Sequence, residues 1–242
     1  MKILVFFCLV FVCCFKPTMF SQDETEGGVR KSAYSAYYEK TIKNFQAEDL
    51  KKKPSTKAIV VVGSSSVSFW HPTINEDLAP LTLVPRGIAG CELADVLYYY
   101  DKLIEPYQPR AVVIYAGEND IVLQTTPEAV FLLFKSLVEK IKKSNPETRI
   151  YFVSIKPSVA RWALWNKMAE ANLMIETECK KEETLFYIDV TTSLLGQDKK
   201  PDPNYFKSDK IHLSKKGYEV WTAAIKPILI ANEEKFEPQL TK

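Results

Sequence analysis

Five short stretches of the chain are apolar without alternation: Ala58 to Val62, Leu81 to Val84, Ala111 to Tyr115, Ile150 to Ile155 and Leu185 to Ile188. A strand with one wet face alternates apolar and polar residues, so continuing apolar character without that alternation predicts strands covered on both sides. Between them lie longer segments of a different period. Thr126 can cap a helix with Pro127 in its first turn, and Val130, Phe134, Leu137 and Ile141 then recur on one face. Glu92 to Ile104, Arg161 to Glu183 and Ser214 to about Lys226 behave alike, the last with Tyr218, Trp221 and Ile225 inward. Strand and helix alternate, which predicts a three-layer α/β/α sandwich around a central, mainly parallel five-stranded sheet. Ahead of it, Tyr34 to Lys53 carries Tyr38, Ile42 and Phe45 at helical spacing and reads as an amphipathic surface helix ended by Pro54.

The N-terminus has another pattern. Met1-Lys2 precedes the apolar run Ile3 to Phe15, which gives way to Lys16, Pro17 and a polar stretch from Ser21. The run is short for a bilayer span and reads as an export signal, with an uncleaved anchor helix or lipidation at Cys13 or Cys14 as the alternatives. The predicted organisation is a signal peptide over 1–22, an N-terminal helical segment over 23–54 and one α/β domain over 55–235. The expected location is secreted or periplasmic.

Composition narrows the function classes. At 242 residues, 46% hydrophobic and 26% charged, the chain can bury one substantial core. Its net charge is only +2, with Lys and Arg scattered and no basic stripe, which argues against nucleic acid as a partner. Three of the five cysteines lie in the signal, and Cys91 and Cys179 make no disulfide framework, a single bridge between them being left open. Two histidines in total are poor material for zinc, so no metal is expected.

In a parallel α/β sheet, ligands sit beyond the carboxyl ends of the strands. Gly63, Gly87, Gly90 and Gly117, half of the eight glycines, all fall at or just after such ends. The first strand runs into Gly63-Ser64-Ser65-Ser66. A serine hydroxyl needs a neighbouring base to become nucleophilic, and histidine is the usual one. His212 follows Asp209 by three residues, so the carboxylate can fold back and orient the imidazole. Gly117-Glu118-Asn119-Asp120 closes the third strand, where the Asn119 amide can stabilise an oxyanion, with Gly90 supplying a second donor. His71, before Pro72, reads as structural or a rim residue.

These four blocks, in this order, resemble those of the SGNH, or GDSL-like, hydrolase family, and the resemblance spans essentially the whole chain after the signal. It implies a serine esterase in which Ser65 is the nucleophile, Asp209 and His212 complete the triad, and Ser65, Gly90 and Asn119 form the oxyanion hole, without a cofactor. Where many relatives have Asp before the nucleophile, Ser64 stands here, resembling a Gly-Ser-Ser-Ser subgroup; Ser64 and Ser66 remain alternatives to Ser65 for the attack. The resemblance implies an acyl ester substrate without selecting among sugar, lipid, thioester and aryl esters; export together with a small triad-type site gives a short-chain, carbohydrate-linked ester as a first reading. Trp70, Arg161 and Trp162 fall on or near active-edge loops and are expected to line the substrate pocket. The loop from Thr191 to Asp209, with Tyr205 and Phe206, is placed to form a lid. Two other readings compete: a silent glycan- or peptide-binding domain on the same scaffold, which would not need all four motifs, and a nucleotide-binding α/β protein, for which GxGxxG and GxxxxGK[ST] signatures are missing.

Overall fold

The strand residues sort by parity. In β1 (Ile59–Gly63), Ile59 and Val61 join one buried cluster, while Val60 and Val62 join another. Successive side chains leave a strand from opposite faces, so a strand buried on both sides feeds two cores. The same division runs through β2 (Leu83–Gly87), β3 (Ala111–Tyr115), β4 (Arg149–Val153) and β5 (Leu185–Ile188). The computed structural model describes residues 35–237; the predicted signal over 1–22 lies outside them.

The strands are all parallel, in the order β2-β1-β3-β4-β5. On one face pack α1 (Ser35–Lys51), α4 (Leu93–Tyr98), α5 (Tyr100–Leu103), α6 (Glu118–Val122), α7 (Pro127–Ser144) and α8 (Trp165–Cys179). On the other lie α2 (Ser65–Trp70), α3 (Ile74–Asp77) and α9 (Lys215–Glu233). This is the three-layer α/β/α sandwich the hydrophobic pattern predicts. Thr126 caps α7 as expected, its side chain accepting from the Ala129 N–H at 3.2 Å.

Where the boundaries shift, a physical reason is visible. The second strand runs to Gly87 rather than stopping at Val84. Pro85 and Arg86 interrupt the apolar pattern, but β2 is an edge strand, where a sheet tolerates proline. Arg86 is buried by pairing with Asp49 of α1 and donating to the Tyr107 hydroxyl at 2.7 Å. The helix predicted from Glu92 breaks between α4 and α5. The helix predicted from Arg161 begins only at Trp165, after a 3-10 turn over Trp162–Leu164, so Arg161 and Trp162 belong to the loop after β4. At the last helix, α9 continues through Pro227 to Glu233. The buried Glu233 carboxylate accepts from Arg149 Nε at 2.5 Å and the Tyr151 hydroxyl at 2.6 Å, which anchors the helix end to β4.

The helix α1 shares the first core. Tyr38, Ile42 and Phe45 are buried against it at i, i+4 and i+7, and Asp49 receives a further bond from the Tyr107 hydroxyl at 2.6 Å. Cys91 and Cys179 are both buried and free, so the open question of a bridge closes against one.

The sheet order reverses around β1, with β2 on one side and β3 on the other, which places a crevice beyond their carboxyl ends. Gly63 ends β1 at φ +145°, and a Cβ there would lie 1.9 Å from the Tyr115 carbonyl oxygen of β3. Only glycine lets the two strands close and the chain turn into Ser64.

Candidate active site

Ser64 is the N-cap of α2, and Ser65 is its first helical residue. Of the three serines, Ser64 and Ser66 are buried, the latter with its carbonyl taken by the Tyr218 hydroxyl at 2.8 Å. Ser65 is the one that meets a histidine: His212 Nε2 lies 2.9 Å from its Oγ. Behind the ring, His212 Nδ1 lies 2.7 Å from Asp209 Oδ2. An ionised carboxylate only accepts, so Nδ1 carries the proton and Nε2 presents its lone pair to Ser65. The other oxygen, Asp209 Oδ1, accepts from the Ile211 and His212 N–H groups, both at 2.9 Å. Burial alone would raise the Asp209 carboxyl, but the bonds from the His212 ring, its N–H and the Ile211 N–H outweigh that and hold it well below the usual carboxylate range.

The loop after β2 and the loop after β3 are pinned together. Asn119 Nδ2 donates to the Cys91 carbonyl at 3.0 Å, one of the two N–H bonds an amide can give, while its Oδ1 accepts from Arg161 Nη1 at 3.1 Å. The next residue, Asp120, accepts from the Leu93 N–H at 3.0 Å. Burial pushes the Asp120 carboxyl up to about 7, with Glu92 and Asp95 nearby adding to the rise. Gly90 lies in this same loop at φ +84°.

One cleft of about 410 Å³ holds Ser65, His212, Gly90 and Asn119 together. Arg161 lines it too, and the rings of Tyr37, Tyr38 and Phe69 form its walls. The four motif loops therefore meet at a single rim.

Two expected pocket residues lie elsewhere. Trp70 is buried in the second core, stacked on Tyr218 at 5.8 Å, with its Nε1 donating to Asp77 Oδ2 at 2.7 Å. Its neighbour Phe69 takes the place at the rim, edge-on to the His212 ring at 4.8 Å. The helix phase explains this: Phe69 is four residues after Ser65, on the same face of α2, whereas Trp70 falls on the face turned to the sheet. Trp162 stacks on Trp165 at 6.0 Å and lines a separate cleft of about 370 Å³ with Val159, Pro201 and Pro203. The loop expected to act as a lid is instead a scaffold. Phe206 is buried and pairs with Leu213, and Lys207 N–H donates to the His212 carbonyl at 2.7 Å, so this segment holds the histidine in place. His71 packs near Phe45 of α1, at 6.3 Å between ring centres.

Sequence reading misses a buried ionic group under the site. Glu118 accepts from Lys156 Nζ at 2.8 Å and from the Tyr115 hydroxyl at 2.9 Å, and Arg161 Nη1 lies 3.0 Å from its other oxygen. Burial acts to raise the Glu118 carboxyl, and the Lys156 and Arg161 charges overcome it and lower it. The available signal was a lysine one residue past an otherwise apolar strand, at Lys156.

A parallel α/β/α sheet carrying a hydroxyl, an imidazole and a carboxylate in line at its carboxyl edge defines a carboxylic ester hydrolase. The chain belongs to the GDSL-like lipase/acylhydrolase family, whose sequence profile matches residues 56–220. A GDSL-like lipase from Bacteroides thetaiotaomicron has a similar fold, with a TM-score of 0.68 at 22% identity over 81% of this chain and 98% of that one. So have a carbohydrate esterase family 3 protein from Talaromyces cellulolyticus (TM-score 0.58, 16% identity, 72% of this chain and 97% of that one) and a variant of an acetyl-xylooligosaccharide esterase from Geobacillus Stearmophilus (TM-score 0.56, 16% identity, 72% and 94%). No curated protein sequence matches the chain with significance. Among the described residues, no helix is long and apolar enough to cross a membrane.

Proposed function

We propose that this ester hydrolase works through an acyl-enzyme on Ser65 and removes short acyl groups from carbohydrate-linked esters outside the cytoplasm. One observation carries the mechanism: His212 Nε2 stands 2.9 Å from Ser65 Oγ while Asp209 holds the opposite ring nitrogen. In this reading Ser65 Oγ attacks the ester carbonyl carbon as its proton passes to Nε2. The carbonyl oxygen becomes an oxyanion that the N–H groups of Ser65 and Gly90 and the free Asn119 Nδ2 hydrogen stabilise. His212 then gives the proton to the departing alkoxide, and the alcohol leaves. Water, activated by the same nitrogen, attacks the acyl-serine and releases the acid.

The short acyl chain is supported by the size of the cleft, about 410 Å³, which the alcohol half of the substrate must share. Carbohydrate linkage is supported by two of the similar folds, named for carbohydrate and acetyl-xylooligosaccharide esters. Export is supported by the apolar run Ile3 to Phe15 behind Lys2.

The test is a panel of esters from acetyl to long-chain acyl, with sugar and lipid alcohols, beside Ser65→Ala and a fluorophosphonate label. The reading expects acetyl esters to be preferred, labelling on Ser65, and loss of both in the variant. Turnover undiminished in Ser65→Ala refutes the mechanism, and preference for long-chain lipid esters refutes the substrate class. A binding domain without turnover would take no label.

A further inference from the structure

The helix α1 lies outside the stretch 56–220 that defines the family, yet its first turns reach the cleft. It is a fixed strut. Its inner face is buried through Tyr38, Ile42 and Phe45, and its far end is held by Asp49 on Arg86 and Tyr107. The strut brings two tyrosines beside the nucleophile. Tyr38 is buried, with its hydroxyl close enough to the oxyanion loop that a Cβ on Gly90 would lie 3.7 Å from it. Tyr37 is 50% exposed, and its ring meets the edge of Tyr38 at 5.8 Å.

Exposed aromatic rings are few among the described residues. Phe236 is one, and the Arg149 guanidinium covers it at 4.1 Å. Phe69 is another, at 42% exposure, and it packs against His212. Tyr37 has neither a core to fill nor a catalytic group to hold, and it faces the cleft that contains Ser65. A single exposed ring is ordinary on a protein surface, but this one lines the same concave cleft as Ser65 and His212, where a ligand is expected to sit.

The position says which half of the substrate it meets. The carbonyl carbon must come to the Oγ of Ser65, which is half-buried beside the exposed Gly90, and a short acyl group takes up little of the cleft beyond that point. The alcohol half occupies the mouth, where the half-exposed ring stands. A pyranose fits that place: its C–H face is apolar enough to lie on an aromatic ring, and its hydroxyl rim can meet the polar edge that Arg161 contributes to the same cleft.

We propose that Tyr37 is a specificity-determining residue whose ring, carried by a helix outside the family core, stacks on the sugar ring of an acylated carbohydrate. This rests on the esterase reading above. The experiment compares kcat/KM for a monoacetylated methyl β-xylopyranoside with that for ethyl acetate, which has no ring, in the wild type, Tyr37→Ala and Tyr37→Phe. A ratio of two substrates does not depend on how much of a variant is folded. In Tyr37→Ala the ratio should fall about three- to tenfold, through KM for the sugar ester, the range expected for one lost ring contact. Tyr37→Phe, which keeps the ring, should hold the wild-type ratio. An unchanged ratio in Tyr37→Ala, or an equal fall in Tyr37→Phe, overturns the inference and leaves the esterase reading in place. Failure of the wild type to hydrolyse either ester overturns both.

Discussion

The Lys156 ammonium, fully buried, donates to the carbonyl of Ile211 at 2.9 Å. Ile211 immediately precedes His212, and the same nitrogen bonds Glu118, which neighbours Asn119. One cation therefore links the loop that carries His212 to the segment that carries Asn119. The link explains how groups from distant parts of the chain keep a fixed separation.

Lys156→Met tests it. The substitution leaves Glu118 buried with its charge only partly matched by Arg161, and breaking such a pair costs about 3–5 kcal/mol. Urea unfolding should show a loss of that order. The double variant Lys156→Met/Glu118→Gln, which removes the stranded charge, should recover at least half of it. In whichever variant folds, kcat should fall more than KM rises, because the substrate touches neither residue. A single variant that loses under about 1 kcal/mol would sink the account.

Asn119 and Arg161 should separate by magnitude. In the proposed mechanism Asn119→Ala removes an oxyanion donor outright, so it should lower kcat roughly 10²- to 10³-fold. Arg161 acts on the amide through its oxygen, fixing which way the nitrogen points. Arg161→Met should therefore cost only about tenfold in kcat, the loss of one positioning bond on Asn119, while the loss of its ion pair with Glu118 is read separately in stability. Steady-state kinetics on an acetyl ester decides it, and equal losses from the two variants would contradict the division of roles.

For Asp209→Asn, the expected change is in the tautomer. The amide can offer N–H to the imidazole, which then protonates on Nε2 and turns a donor, not a lone pair, toward Ser65. A kcat loss of roughly 10²- to 10⁴-fold with little change in KM should follow. Asp209 is 43% exposed at its side chain, so water can partly replace it, which argues for the lower part of that range. Retention of full activity would exclude a role for this carboxylate.

How far the sequence speaks depends on the kind of interaction. Burial on both faces leaves an apolar run without alternation, and four of the five strands could be placed to within a residue at their starts: Ile59, Ala111, Arg149 and Leu185. The exception, β2, starts at Leu83, two residues after the apolar stretch does, and its end hides behind Pro85 and Arg86, because an edge position and an ion pair with α1 override the composition. That Ser65, His212, Asp209, Asn119 and Gly90 would come together was legible because the strand ends of a parallel sheet fix where to look. Trp70 was misread for want of the helix phase of α2, which points Phe69 at the rim instead. Glu118, Lys156 and Asp120 were not legible as a group: their roles depend on partners 27 to 55 residues away, and only the folded chain says which carboxylate meets which donor.

Asp120 gives the last prediction, in stability rather than rate. Its folded carboxyl is raised by burial, then by Glu92 and Asp95, from an ordinary 3.8 to about 7. Between these values the folded protein holds a proton that the unfolded chain has released, so stability falls as pH rises. The contribution is fully present below about pH 4 and is lost as pH climbs through about 7, a span worth on the order of 2–4 kcal/mol. Asp95, raised to about 6 by burial, acts in the same direction. Asp120→Asn keeps an oxygen for the Leu93 N–H but has no proton to lose. Relative to the wild type, it should therefore gain roughly 2 kcal/mol or more between pH 4 and pH 8, read by denaturant unfolding at each pH. If the difference between the two proteins does not change with pH, Asp120 does not titrate in that window, and its burial is compensated by a partner beyond the Leu93 N–H.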